Sequence, residues 1–107
     1  MQESFERGVG YEKYSDETLI SILRQENRTE IMDYLMDKYK DLVKKKAKVL
    51  FLIGGDTDDL IQEGMIGLFK AIRDYNEKKD SSFFHFAEIC ILRQMYTAME
   101  AKKRKKH

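Results

Sequence analysis

The sequence contains one cysteine, no proline and no tryptophan among its 107 residues. With Cys90 alone, the chain cannot form an internal disulfide or supply the thiolates of a zinc site. The absence of proline and the presence of only six glycines favour long helices over a turn-rich β fold. We therefore expect an all-α protein that is suited to a reducing compartment.

Long hydrophobic runs are also missing from the sequence. The longest uninterrupted apolar run, Val49–Ile53, has five residues, whereas a transmembrane helix needs about 18 or more. The N-terminal segment contains Glu3, Glu6 and Glu12 and lacks the basic, apolar and small-residue order of a signal peptide. The sequence thus predicts a cytoplasmic protein with no membrane partner.

The net charge of +1 conceals an uneven distribution of charged residues. Residues 102–106 carry five of the 20 basic side chains, so the remaining 15 are outnumbered by 19 acidic ones. A basic run at a helix end suits the phosphates of duplex nucleic acid. A solvated helix end is the equally open alternative.

Apolar residues recur at every third or fourth position, which predicts a compact bundle of about four helices. We expect a flexible leader over residues 1–14, followed by a single domain over residues 15–107 with helices near 15–27, 29–53, 56–75 and 83–102. The candidate N-caps are Ser15 or Asp16, Thr29 and Asp56. Glycines at positions 54 and 55 separate the second helix from the third.

The predicted third helix contains two glycines and a pair of acids. Gly64 and Gly67 each cost about 1 kcal/mol relative to alanine in a helix interior, which indicates close packing against a neighbour or a partner. Asp59 and Glu63 are four residues apart on the same helix, without a base, nucleophile or metal ligand beside them. We therefore interpret them as a solvated or partner-facing acidic edge and expect no catalysis, no cofactor and no metal site.

The predicted last helix has few polar residues over positions 83–96, so it is wedged between other helices or exposes apolar side chains to a partner. Several aromatic residues lie at or just before its start, near Lys78, Lys79 and Arg93. Bases of single-stranded nucleic acid stack on such rings while cations contact the phosphates. Burial of the rings in the core is an equally open interpretation.

Residues 59–68 read DLIQEGMIGL and are followed by FKAIRDY, while residues 83–87 read FFHFA. The first two segments resemble the DLIQEGxIGL signature of the sigma-70 family of bacterial RNA polymerase sigma factors and its aromatic extension. The third resembles the FxxYA segment that begins the promoter-reading helix of that family. Residues 51–56 and 104–107 are similar to a subgroup that acts in stationary phase and sporulation. The resemblance covers roughly residues 15–107.

The resemblance implies a helical region 2 domain, which is not an enzyme and which recognises and melts the minus-ten promoter element together with core RNA polymerase. The third helix would dock on the coiled coil of the polymerase β′ subunit, where its glycines and acids would jointly allow close approach to a basic partner. The expected polymerase-binding residues are Asp59, Gln62, Glu63, Met65 and Phe69. An anti-sigma factor is a further candidate partner.

The resemblance also implies three groups of DNA-binding residues. The expected contacts to bases of the melted strand are Tyr75, Phe84, His85 and Phe86. The expected contacts to base edges, for which arginine and glutamine are suited, are Arg93, Gln94 and Thr97. The remaining expected DNA-binding residues are the basic side chains Lys79, Lys102, Lys103 and Arg104.

Three features depart from the family pattern. Ile89 and Cys90 replace a tryptophan pair of the primary sigma factors, so we expect weaker melting that depends more on promoter sequence. The expected base-edge contacts Arg93, Gln94 and Thr97 align with the primary sigma factors only if one residue is inserted after Ala87. In the alignment without this insertion, Arg93 and Tyr96 occupy the base-reading positions. The C-terminal domain that reads the minus-thirty-five element is absent, and we expect a domain cut from a longer factor.

Two other functions remain open at this stage. The chain could be a helical protein-interaction or regulatory module, similar to a sigma factor but without DNA contact. It could also be a general helical DNA-binding protein without a role at the polymerase. Crosslinking to promoter DNA in the presence of core enzyme distinguishes the first alternative, and tight duplex binding without core enzyme distinguishes the second.

Overall fold

The computed structural model describes residues 10–105, with side chains for residues 10–103. Within this range the chain forms helices and no strands, which confirms the predicted all-α class. A short 3-10 helix, Tyr11–Lys13, precedes five α-helices: α1 Asp16–Glu26, α2 Thr29–Lys38, α3 Lys40–Phe51, α4 Thr57–Asp74 and α5 Phe83–Lys105. No helix in residues 10–105 is both long enough and apolar enough to span a membrane.

The predicted second helix is in fact two helices, α2 and α3, which meet at Tyr39. The Tyr39 backbone has φ −95° and ψ 3°, outside the helical region, and its hydroxyl donates a hydrogen bond to Asp16 of α1. Hydrogen bonds nevertheless continue across the junction, from Tyr39 N to Leu35 O and from Val43 N to Tyr39 O. Because the apolar repeat runs on unbroken, the sequence pattern does not reveal the junction.

Two of the predicted N-caps, Ser15 and Asp56, and the predicted glycine turn after α3 are confirmed. Ser15 Oγ accepts a hydrogen bond from Thr18 N over 3.1 Å at the start of α1. Asp56 Oδ1 accepts one from Asp59 N over 3.2 Å at the start of α4. Gly54 has φ +118°, a conformation that side chains other than glycine adopt only with strain, and it allows the tight turn from α3 to α4.

Two predicted boundaries require correction. Tyr11 is fully buried and packs edge-on against Tyr34, with ring centroids 5.3 Å apart. Residues 10–14 therefore belong to the folded domain and are not a flexible leader, while residues 1–9 lie outside the described range. Thr29 is the first residue of α2 rather than its N-cap, which is Arg28.

The centre of the core is the contact between α4 and α5, around which α1, α2 and α3 pack. Four buried α5 residues recur at every fourth position: Phe83, Ala87, Ile91 and Met95. They belong to the same buried core as Leu68 and Ile72 of α4. Full burial of a large apolar side chain contributes about 1.5–3 kcal/mol to stability, so this seam fixes how the outer faces of the two helices are oriented.

Gly64 and Gly67 lie on the buried side of α4, against its neighbours in the bundle. A Cβ atom at Gly67 would lie 2.8 Å from Cys90 O and 2.9 Å from Gln94 Cβ of α5, and one at Gly64 would lie 2.7 Å from Val43 Cγ1 of α3. The glycines thus permit close packing inside the domain. The expectation that they serve close approach to an external partner is wrong, because no face of either glycine is open to one.

Candidate binding surfaces on α4 and α5

The side of α4 that faces away from the bundle carries an exposed ridge of three residues, Gln62, Ile66 and Phe69. Their spacing of four and three residues places them on one helical face, and the side chains of Ile66 and Phe69 are each 44% exposed. Two large apolar side chains beside a polar one are suited to contact with another helix. We call these three residues the α4 ridge.

The α4 ridge includes two of the five predicted polymerase-binding residues, Gln62 and Phe69. Ile66 was not predicted, although its spacing from both of these residues could have identified it. Met65, which was predicted, is partly buried and packs against the core. The ridge is therefore narrower than the predicted set and is displaced from Met65 towards Ile66.

The two predicted acids, Asp59 and Glu63, are bonded to α5 within the domain. Asp59 Oδ2 accepts a hydrogen bond from Lys102 Nζ over 2.5 Å, and Glu63 Oε1 accepts one from Gln94 Nε2 over 2.9 Å. The prediction of a solvated or partner-facing acidic edge did not include these hydrogen bonds to α5. The Asp59 side chain is still 56% exposed, so it remains accessible at the border of the α4 ridge, whereas Glu63 is half-buried.

The outward side of α5 carries a second exposed face, formed by His85, Ile89, Arg93 and Tyr96. Their separations of four, four and three residues align them along one side of the helix. This α5 face combines a cation, two rings and an aliphatic side chain. His85 and Arg93 were predicted as DNA-binding residues, and Tyr96 was predicted only for the alignment without an inserted residue.

Gln94 does not lie on the α5 face. Its side chain is half-buried and turned towards α4, where it donates to Glu63 and accepts a hydrogen bond from Lys70 Nζ over 3.2 Å. Both ends of its amide are therefore occupied inside the domain. Arg93 and Tyr96, the reading positions of the alignment without an insertion, are both exposed, and Thr97 is exposed at the edge of the face.

The predicted base-contacting rings differ in their accessibility. Phe84 is 48% exposed, and its ring centroid lies 6.1 Å from that of Tyr39 and 6.3 Å from that of His85. Phe86 is half-buried, and its ring centroid lies 5.7 Å from that of Tyr75. Phe84 and the neighbouring His85 thus form the open aromatic end of α5.

Tyr75 is a core residue, and its predicted role in base capture requires correction. The side chain is only 3% exposed, its ring packs edge-on against Phe83 with centroids 5.5 Å apart, and its hydroxyl donates to Ser81 O over 2.7 Å. Burial raises the pKa of this hydroxyl. No face of the Tyr75 ring is available for stacking a base in this arrangement.

The predicted basic contacts also fall into different environments. Lys79 and Lys103 are exposed. Lys102 is engaged by Asp59, and this hydrogen bond raises the pKa of its ammonium group. The side chain of Arg104 lies outside the described residues.

An ion pair joins α3 to α5 beside the open aromatic end. Lys46 Nζ lies 2.9 Å from Glu88 Oε2, and the hydrogen bond between them holds the pKa of Glu88 below its ordinary value. Glu88 follows Phe84 by one helical turn. The pair therefore ties the N-terminal half of α5 to the rest of the bundle.

Groups that could perform chemistry are sparse in the described residues. Burial raises the pKa of the half-buried Cys90 thiol, which disfavours the nucleophilic thiolate. Among residues 10–103, no three histidine, cysteine, aspartate or glutamate side chains are grouped as metal ligands. The two exposed faces present apolar, aromatic and basic side chains, which are suited to binding macromolecules.

Comparison with known proteins identifies a matching family model and two related sequences. Residues 35–105 match the family model described as sigma-70 region 2. The chain is 52% identical over 79 residues to the RNA polymerase sigma-H factors of Bacillus subtilis (strain 168) and Bacillus licheniformis. These alignments cover 74% of this chain and 36% and 35% of the two relatives, so the chain spans about a third of their length. No solved structure matches the chain significantly.

Proposed function

Because this chain belongs to the sigma-70 region 2 family, we propose that it is the part of a sigma factor that binds core RNA polymerase and the minus-ten promoter element in transcription initiation. One observation carries the proposal. The α4 ridge and the α5 face lie on the outer sides of two helices that are locked together at Gly67, so a protein and a nucleic acid can be bound at the same time. The chain would act in the bacterial cytoplasm and would not be an enzyme.

The α4 ridge is the surface that we assign to core polymerase. Phe69 and Ile66 would bury apolar area against a helix of the β′ coiled coil, while Gln62 would supply hydrogen bonds. Asp59, at the border of the ridge, would attract a basic partner before contact is made. An anti-sigma factor could compete for the same apolar side chains.

The α5 face and the open aromatic end are the surfaces that we assign to DNA. Phe84 and His85 would stack on bases of the melted non-template strand, because each ring has an exposed face. Arg93 would contact a base edge in the adjoining duplex, where a guanidinium can make two parallel hydrogen bonds. The exposed Ile89 stands where primary sigma factors carry a tryptophan, so the melting step would depend on promoter sequence.

Two variants test these assignments separately in a reconstituted complex. The chain is mixed with core RNA polymerase and with a forked DNA whose non-template minus-ten strand is single-stranded. Phe69→Ala should reduce binding to core polymerase, whereas Arg93→Ala should leave core binding intact and weaken binding of the fork.

Matched controls remove similar side chains elsewhere. Phe51 is exposed at the end of α3 and Lys13 is exposed near the N-terminus, so Phe51→Ala and Lys13→Ala should have little effect. If the core complex forms but no promoter DNA is bound or crosslinked, the chain is an interaction module without DNA contact. If duplex binding is equally tight without core enzyme, the chain is a general DNA-binding protein.

A further inference from the structure

Helix α1 is hydrogen-bonded to the end of α4. The Arg24 Nη2 group donates to Ile72 O over 3.0 Å and to Arg73 O over 2.8 Å. These carbonyls belong to the last turn of α4. The carbonyl oxygens there have no N–H donor within the helix, and a positive charge beside them is favourable. One α1 side chain therefore caps the C-terminal end of the helix that carries the α4 ridge.

The same helix also holds the start of α5. Glu17 Oε2 accepts a hydrogen bond from the backbone N–H of Phe83 over 2.7 Å, in a partly buried position. The first N–H groups of a helix have no partner within it, and a carboxylate is favourable at this positive end. Phe83 immediately precedes Phe84 and His85, so the position of Glu17 helps to set the position of the open aromatic end.

The two contacts span the connection between α4 and α5. A cleft of about 630 Å³ lies between α1 and the first part of this connection, and Glu17, Arg24 and Tyr75 line it. Because this cleft separates α1 from the first part of the connection, α1 holds the connection through the hydrogen bonds of Arg24 and Glu17 at its two ends. The rings of Tyr39 and Tyr75 also pack against the ring of Phe83, with centroids 5.3 and 5.5 Å away, and so help to hold the start of α5 in place.

All of α1 lies outside residues 35–105, the part of the chain that matches the family model. We propose that Glu17 and Arg24 are positioning residues, which hold the start of α5 in the arrangement that binds melted DNA. This inference rests on the proposed DNA-binding role of α5. Without these two side chains, the aromatic end occupies several arrangements, and only some of them present Phe84 and His85 to the strand.

The charge of Glu17 allows positioning to be distinguished from a direct electrostatic effect. A carboxylate near DNA repels phosphates, so its removal should strengthen DNA binding if charge alone matters. Positioning predicts the opposite sign for Glu17→Ala. In Glu17→Gln the charge is lost but an amide oxygen can still accept the hydrogen bond from Phe83 N, so this variant should bind nearly as well as the unchanged protein.

The experiment measures the affinity of each reconstituted chain–core complex for two DNAs. One is the fork with a single-stranded minus-ten strand, and the other is the fully paired duplex of the same sequence. We expect Glu17→Ala to weaken fork binding about fivefold, as when only about one domain in five retains the competent arrangement. Binding of the duplex should change less than twofold, and Glu17→Gln should restore fork binding.

Arg24 and a matched acid complete the design. Arg24→Ala should weaken fork binding relative to duplex binding, while Arg24→Lys, which keeps the charge and can donate to one carbonyl, should be intermediate. Glu30 lies in the first turn of α2 as Glu17 lies in that of α1, and Glu30→Ala should leave the ratio of fork to duplex affinity unchanged. Core binding of each variant reports whether the domain is folded.

Each outcome decides between the alternatives. The positioning role would be overturned if Glu17→Ala lost affinity equally for the fork and the duplex, or if it bound the fork more tightly than the unchanged protein does. If Glu17→Ala does not fold, Arg24→Lys and Glu17→Gln decide the matter through the same ratio, and an unchanged ratio in Arg24→Lys would overturn the proposal. If the unchanged chain–core complex does not bind the fork at all, it is the proposed function that fails, and not the role of α1.

Discussion

Gln94 of α5 donates a hydrogen bond to Glu63 of α4 over 2.9 Å, which joins one residue predicted to read DNA to one predicted to bind polymerase. The two side chains satisfy each other inside the domain. Arg93, the next residue along the chain, points outward on the α5 face. Adjacent residues of one helix therefore have different roles: Gln94 holds two helices together, and Arg93 is available to DNA.

This difference predicts opposite results for two alanine variants. Gln94→Ala should lower the free energy of unfolding by about 0.5–1.5 kcal/mol, the usual net value of a hydrogen bond such as the partly buried one to Glu63, since the exposed bond from Lys70 adds little; it should leave promoter preference unchanged. Arg93→Ala should leave stability nearly unchanged and relax discrimination at one base pair by about 1–3 kcal/mol. Thermal unfolding and competition binding with single-base promoter variants measure the two effects. Relaxed preference in Gln94→Ala would show that its amide leaves Glu63 to read a base.

The close contact of α4 and α5 predicts that Gly67→Ala is destabilising. Helix propensity alone would make alanine more favourable by about 1 kcal/mol. The new Cβ, however, would lie 2.8 Å from the backbone oxygen of Cys90, and such overpacking costs about 1–3 kcal/mol. Chemical denaturation should thus show a net loss of stability. Ile66→Ala, on the exposed ridge, is the control and should change stability little; a more stable Gly67→Ala would contradict the packing described here.

The basic end of α5 predicts a graded dependence of DNA binding on salt. Replacement of residues 102–106 by alanine should flatten the plot of log affinity against log salt, because each lost phosphate contact lowers the slope by about 0.9. Lys102 and Lys103 provide a matched pair. Since Lys102 is engaged by Asp59, Lys103→Ala should reduce the slope more than Lys102→Ala does. An unchanged slope in the five-residue variant would show that this end does not contact phosphates.

The Lys46–Glu88 pair predicts a loss of stability in acid. The pKa of Glu88 is lowered from its ordinary 4.5, so its contribution is complete above about pH 4.5 and is lost as the pH falls through the lower, folded-state value. Because the pair is partly solvated, the contribution is at most about 1 kcal/mol. Lys46→Gln should therefore show a smaller drop in stability between pH 6 and pH 3.

The neighbouring Lys45 is exposed on α3 and supplies the control for that titration. Lys45→Gln should retain the drop seen in the unchanged protein. If Lys46→Gln and Lys45→Gln give the same pH dependence of the unfolding free energy, the ion pair does not contribute to stability.

The fold could be predicted from the sequence wherever local rules decide the structure. The cap residues Ser15 and Asp56, the turn at Gly54 and the apolar repeat of α5 all depend on neighbours in the chain. The junction at Tyr39 could not be predicted, because the apolar repeat continues through it and the hydrogen bond made there joins Tyr39 to Asp16, 23 residues away. The burial of Tyr11 was missed for a related reason, since a single aromatic residue has no periodicity.

The candidate site could be predicted only in part from the sequence. The signature identifies α4 and α5, and it correctly places Gln62, Phe69 and Arg93 at the surface. The signature does not show which side of α4 and of α5 is covered by the rest of the domain. That packing is the reason why Gln94 and Tyr75 are engaged inside the domain. The close approach at Gly67 fixes that choice, because it brings the α5 side of α4 within van der Waals contact of Cys90.

Site-specific photocrosslinking in one ternary complex of the chain, core RNA polymerase and forked promoter DNA tests the proposed function most directly. A photoreactive residue in place of Phe69 should crosslink to the β′ coiled coil, and one in place of Tyr96 should crosslink to the minus-ten DNA. The same residue in place of the exposed Phe51 provides the control for each. If position 69 does not crosslink to polymerase while position 51 does, the assignment of the α4 ridge is contradicted. If position 96 does not crosslink to DNA while position 51 does, the assignment of the α5 face is contradicted.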